Sequence, residues 1–164
     1  MNKRGQVWVE TVVYTLIAFI MIGLVLAFIR PKIVEIQDQA VIEQSVGLMD
    51  EMHRIILDLG QLGNGNKRIV EVGLKKGSLK IDGVNDKIIF EMESEYEYSE
   101  PGSDISIGKI HAKTTKEGSL NIITLELSYD ESGQKYNLQY NGKEELITIS
   151  KATTPYKVSI SNIG

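Results

Sequence analysis

Cysteine is absent from all 164 residues, so no disulfide, thiol nucleophile or thiolate metal site can form. Histidine occurs only at His53 and His111, which is little imidazole for a transition-metal centre. The patterns Gly-x-Ser-x-Gly, His-Glu-x-x-His and Cys-x-x-Cys are missing, and so is an Asn-x-Ser/Thr glycosylation acceptor. The net charge is −4, and an acidic body lacks the basic face that nucleic-acid binding needs. These absences argue against an enzyme, a cofactor, a metal site and a nucleic-acid partner.

What the chain has in excess is one long uncharged run. Lys3, Arg4 and Gly5 precede Gln6, a single carboxylate follows at Glu10, and no charge then appears until Arg30. Thr11–Ile29 is 19 residues, about 28 Å as a helix at ~1.5 Å per residue. That matches a hydrocarbon core of ~30 Å. Apolar residues point in every direction around it, so it must be surrounded by lipid or by other helices. The run exceeds the ~7–15 apolar residues of an ordinary secretory signal, and no small-x-small site closes it. An uncleaved membrane anchor is the plainer alternative. Lys3 and Arg4 on one side are balanced by Arg30 and Lys32 on the other, so the basic bias leaves orientation open.

Basic pair, Gly5, Gln6 and Glu10, in register with the apolar run, resemble the leader of archaeal type IV pilins and the related archaeal flagellins. The resemblance covers roughly the first third of the chain. It implies cutting by a prepilin peptidase between Gly5 and Gln6, with Lys3 and Arg4 in the discarded leader of residues 1–5. It also implies insertion in the membrane through residues 11–29, then assembly with copies of itself into a cell-surface filament by an ATPase and a membrane platform protein. The part beyond the helix would lie outside the cell. Glu10 would pair with the new Gln6 amine of a neighbouring subunit. Two opposite charges entering an apolar core together offset part of their desolvation. The residue-level alternative is a carboxylate in a helix's first turn near the membrane interface, favoured by the dipole, with Trp8 in the interfacial belt.

Pro31 removes one helical hydrogen bond and predicts a kink or loosened turn. Beyond it Leu48, Met52, Ile55 and Leu59 step by 4, 3 and 4, an amphipathic stripe that extends the helix to Leu59. His53 falls on its polar side, solvated or hydrogen-bonded. Residues 6–59 thus read as one long helix, apolar in its first part and amphipathic in its second. Residues 60–67, rich in Gly and Asn, form a linker without the spacing of a phosphate loop.

Residues 68–164 alternate with a period of two. Ile69–Leu74 and Ser78–Ile81 suggest a hairpin around Lys75-Lys76-Gly77. Lys87–Tyr98 sets Phe90, Met92, Tyr96 and Tyr98 against a solvated face of Glu91, Glu93, Glu95 and Glu97, which lacks the looped ligands of a calcium site. Ile105–Thr115 and Asn121–Tyr129 read as strands. Lys135–Tyr140 and Lys143–Ser150 flank Asn141-Gly142, a strong hairpin signal, and a last strand follows Pro155. The clustered tyrosines suggest cross-strand pairs.

The expected core comprises Phe90, Ile107, Ile110, Ile122, Leu125, Leu127, Leu138, Ile147 and Ile149, closed by the Leu48–Leu59 stripe. The fold class is therefore α+β: a long N-terminal helix capped by an antiparallel sheet or sandwich, similar to a type IV pilin. Two functions fit. One is the structural subunit of a filament with an adhesive or related surface role. The other is a single-pass anchored extracellular β-domain, a minor pilin or binding module, that does not polymerise.

Overall fold

The computed structural model describes residues 3–62, 65–129, 147–150 and 156–161. One helix, α1 (Lys3–Gln61), precedes eight strands among these residues: β1 (Lys67–Val72), β2 (Ser78–Asp82), β3 (Lys87–Ser94), β4 (Asp104–Ile107), β5 (Ile110–Glu117), β6 (Leu120–Ser128), β7 (Ile147–Ser150) and β8 (Tyr156–Ser161). Every strand pair is antiparallel. Six strands make a sheet in the order β4-β5-β6-β3-β2-β7, and β1 pairs with β8 in a separate ribbon. The architecture is α+β, as the change of hydrophobic period at Arg68 predicts.

Helix α1 packs onto this β-region with one stripe. Asp38, Ile42, Ser45, Met49, Met52, Ile56 and Leu59 are buried, at steps of 4, 3, 4, 3, 4 and 3, one continuous helical face. The expected stripe sits one position off this line. Met52 and Leu59 are central, whereas Leu48 and Ile55 lie at the margin, partly buried. Met49 and Ile56 take the inner places. Both sets share the helical period, and only the β-region decides which neighbour faces inward.

Strand alternation fixes the opposite side of the core. Ile88, Phe90 and Met92 of β3 and Ile123, Leu125 and Leu127 of β6 are buried beside Leu79, Ile81, Ile110, Ala112 and Ile149. Ile107 packs at the edge of this cluster. Ile122 is the exception among the expected core residues: it lies on the outer face of β6, half-exposed, and Ile123 is buried in its place. A one-residue shift in a period of two exchanges the faces. Leu138 and the side chain of Ile147 lie outside the described residues, as do Lys135–Tyr140 and the Asn141-Gly142 turn.

Two expected connections differ. Residues 73–77 do not close a hairpin: β1 pairs with β8, Val70 opposite Val158, while β2 pairs with β3 and β7. The chain here crosses from the ribbon to the six-stranded sheet. Leu74 is buried on the way, and Gly77, at φ 83°, presses so close that a Cβ would sit 2.7 Å from the Glu91 carbonyl oxygen. Only glycine fits there.

The stretch 105–115, read as one strand, is instead the hairpin β4–β5, folded about Gly108-Lys109 with Ile107 opposite Ile110. Gly108 has φ 62°, the left-handed conformation that a tight two-residue turn with Gly first requires. Strand β3 stops at Ser94, sooner than expected, because the Ser94 hydroxyl accepts a hydrogen bond from the Tyr96 N–H and turns the chain. The burial alternation nevertheless continues beyond it, with Tyr96 and Tyr98 partly buried and Glu93, Glu95 and Glu97 exposed.

Candidate assembly site

Every side chain of α1 from Trp8 to Ile33 is exposed. The helix begins at Lys3, so Arg4, Gly5 and Gln6 lie on its first turns; described side chains start at Trp8. Gln6 and Glu10 are four residues apart, a spacing that puts both on one helical side. Glu10 is exposed, next to Trp8, which is 74% exposed. From there Val12, Leu16, Ile20, Leu24 and Phe28 are all largely exposed. Thr15 donates its hydroxyl to the Thr11 carbonyl at 2.8 Å, which satisfies a polar group inside an apolar run without a partner chain. This helix is long and apolar enough to cross a membrane.

Pro31 sits inside α1, which continues through it. Its missing N–H leaves the Ala27 carbonyl without the usual helical donor. Just beyond, Lys32 pairs with Glu35 at 2.6 Å, an exposed pair of small energetic weight. The apolar surface does not end at these charges. Ile33 and Ile36 are 46% and 65% exposed, and with Ile29 they step by 4 and 3 along the side of α1 turned away from the docked stripe.

Asp38 is where exposed helix becomes docked helix. Its carboxylate is almost fully buried, yet it accepts from Lys76 Nζ at 2.6 Å and from the Glu95 backbone N–H at 2.8 Å. One side chain thus ties α1 to the β1–β2 connection and to the segment after β3. Farther along, His53 Nδ1 and the Tyr129 hydroxyl are 2.9 Å apart, and the two rings stack with centroids 5.7 Å apart. Burial lowers the His53 pKa below its ordinary 6.5, Asp50 opposes that shift, and Lys109 adds to it. Tyr98 is pushed up, first by burial and then by Glu43 and Tyr96.

At the β2–β3 turn the Asp82 carboxylate accepts from the Asn85 side chain at 2.6 Å and from two backbone N–H groups at 3.1 Å. These bonds, the side-chain one foremost, hold its pKa below the ordinary value. They pin a turn and form no site. Sequence reasoning passed over Asp38, Ser45 and the His53–Tyr129 contact. The signal for the first two was present: Asp38 and Ser45 share the helical phase of Ile42, Met49 and Ile56. Tyr129 is 76 residues from His53, and no local pattern joins them.

Among the described residues, no group of three or more His, Asp or Glu is arranged to hold a metal ion. A groove of about 680 Å³ between Gln37, Val41 and Gln44 of α1 and Lys75 and Lys76 gathers no set of catalytic groups. No protein-family model, curated protein or solved structure matches this chain.

Proposed function

We propose that this chain is the structural subunit of an archaeal type IV pilus-like surface filament, cut between Gly5 and Gln6 and polymerised through α1, with an adhesive or related surface role and no catalytic one. One observation carries the reading. The exposed apolar surface of α1 is longer than the hydrocarbon core of a membrane is thick. Thr11 to Ile36 spans 26 residues, about 39 Å of helix at ~1.5 Å per residue, against ~30 Å of hydrocarbon. Lipid covers only part of that length. Equivalent helices from other copies cover all of it, and exchange of lipid for protein is what assembly requires.

In this account the leader directs cutting by a prepilin peptidase, and an ATPase with a membrane platform drives the subunit from bilayer to filament. Glu10 sits four residues from the new Gln6 amine, at the depth where a neighbour's carboxylate would meet it. Replacing Glu10 by Ala should leave folding and cutting intact and abolish polymerisation. Normal filaments from Glu10→Ala, seen by electron microscopy of cells, would remove Glu10 from the assembly mechanism.

A second reading has its own support. The β-region closes its core with Met49, Met52, Ile56 and Leu59 of its own helix, so the head needs no neighbour in order to fold. A single-pass anchored domain, as a minor pilin or binding module, fits that observation. Filaments unchanged on deletion of the chain, with the protein confined to membranes, would select it.

A further inference from the structure

We propose that Asp38 is a latch that sets the angle between the projecting helix and the β-domain, and that opening it frees residues 38–46 of α1 while the rest of the helix stays docked. The inference stands on the helix–head junction alone and holds for a filament subunit and for an anchored domain alike.

The docked stripe is uneven. Its C-terminal part, Met49 to Leu59, buries four large apolar side chains, each at most 2% exposed. Its N-terminal part, Asp38 to Val46, fully buries one apolar side chain, Ile42, flanked by partly buried Val41 and Val46. Ser45 adds no bond to the β-domain, since its hydroxyl donates to the Val41 carbonyl at 2.8 Å within α1 itself. Apolar burial therefore anchors residues 49–59 far more firmly than residues 38–46. Asp38 makes up the difference. Among the described residues it makes the only side-chain hydrogen bonds between this part of α1 and the β-domain, both charge-assisted.

The partners of the latch sit on irregular backbone. Lys76 belongs to the crossing between β1 and β2, and Glu95 follows the point where β3 stops. Two separate connections are thus gathered on one carboxylate. Loss of the charge weakens both at once, and a buried carboxylate left without its cation is costly enough to move out to water. The helix then pivots where Met49 enters the core. Because everything from Trp8 to Gln37 projects beyond Asp38, a small rotation there swings the whole apolar arm.

The test uses the full chain in detergent micelles and two variants, Asp38→Asn and Lys76→Met. Amide hydrogen exchange should rise roughly tenfold or more in residues 38–46 and at Glu95, the scale of losing a charge-assisted bond. Exchange in residues 52–59 and in β3 and β6 should stay as in the parent. Spin labels at the exposed positions 36 and 84 should show one narrow distance distribution in the parent and a broader one in each variant. Unchanged exchange in residues 38–46 with an unchanged distance distribution would overturn the latch. An equal rise through the whole β-domain would overturn it too, by making Asp38 a general stabiliser. If Asp38→Asn does not fold, Lys76→Met gives the same two readouts with the carboxylate in place.

Discussion

The two halves of α1 share a backbone and differ in what surrounds them. From Trp8 to Gln37 no side chain is fully buried, and large apolar residues face outward on every side. From Asp38 to Leu59 a single stripe is buried, and charges such as Asp50, Arg54 and Asp58 occupy the exposed sides. The contrast separates two jobs within one element. An all-round apolar helix has no preferred inner face and must take its surroundings from lipid or from other chains. A striped helix has already chosen its partner, the β-domain of its own chain.

The largest expected effect tests that division directly. Ile56→Ala should destabilise the head by about 2–5 kcal/mol, the usual cost of emptying a buried isoleucine site. Ile22→Ala, in the exposed half, should change head stability by less than about 0.5 kcal/mol. Denaturant unfolding of both variants in micelles, read from the β-domain, decides the point. Equal losses would mean that the first half also packs on the head.

Next in size is Gly77→Ala. The left-handed backbone alone costs an L-residue about 1–2 kcal/mol, and the added Cβ would meet Glu91, Met92 and Phe90 within 3 Å. A clear drop in melting temperature is expected, whereas Gly47→Ala, on the exposed helix face with open space around it, should be neutral or stabilising.

Tyr129→Phe is smaller. It removes the hydroxyl that meets His53 and should cost about 0.5–1.5 kcal/mol, and His53→Gln should reveal how much of that depends on the pair.

The smallest effect is a pH dependence. Since the folded pKa of His53 lies below 6.5, the unfolded chain takes up its proton first as pH falls. Stability is therefore lost from about pH 6.5 down to the folded pKa and is level again below it. His53→Gln should flatten that window in a melting series. Asp82 acts in a separate, more acidic range: its depressed pKa means that its contribution, present above 3.8, is lost as pH falls below that value.

How much of this was legible in the chain follows from how local each signal is. The long helix, its change from all-round apolar to striped, and the onset of strands at Arg68 are written in periods of 3.6 and 2. Periodicity gives a face and leaves its phase open by one residue, which is why Met49 and Ile56 replaced Leu48 and Ile55, and Ile123 replaced Ile122. Pairing is less local still. Two alternating runs joined by Lys-Lys-Gly look like a hairpin, but β1 finds its partner in β8, some 90 residues away. The Asp38 contacts join residues 38 and 57 positions apart; its helical phase places it on the buried stripe, but no local pattern names its partners. The proposed leader is the opposite case: its register of Lys3, Arg4, Gly5, Gln6 and Glu10 is a purely sequential signal, and the fold adds only that Gly5 and Gln6 lie in the first turns of α1.

The most direct measurement is the N-terminal residue and mass of the protein recovered from its native cell envelope. The account predicts a chain that begins at Gln6, lacking residues 1–5. An intact Met1 would contradict it, reduce the apolar half of α1 to a plain anchor, and move the search for function to the β-domain.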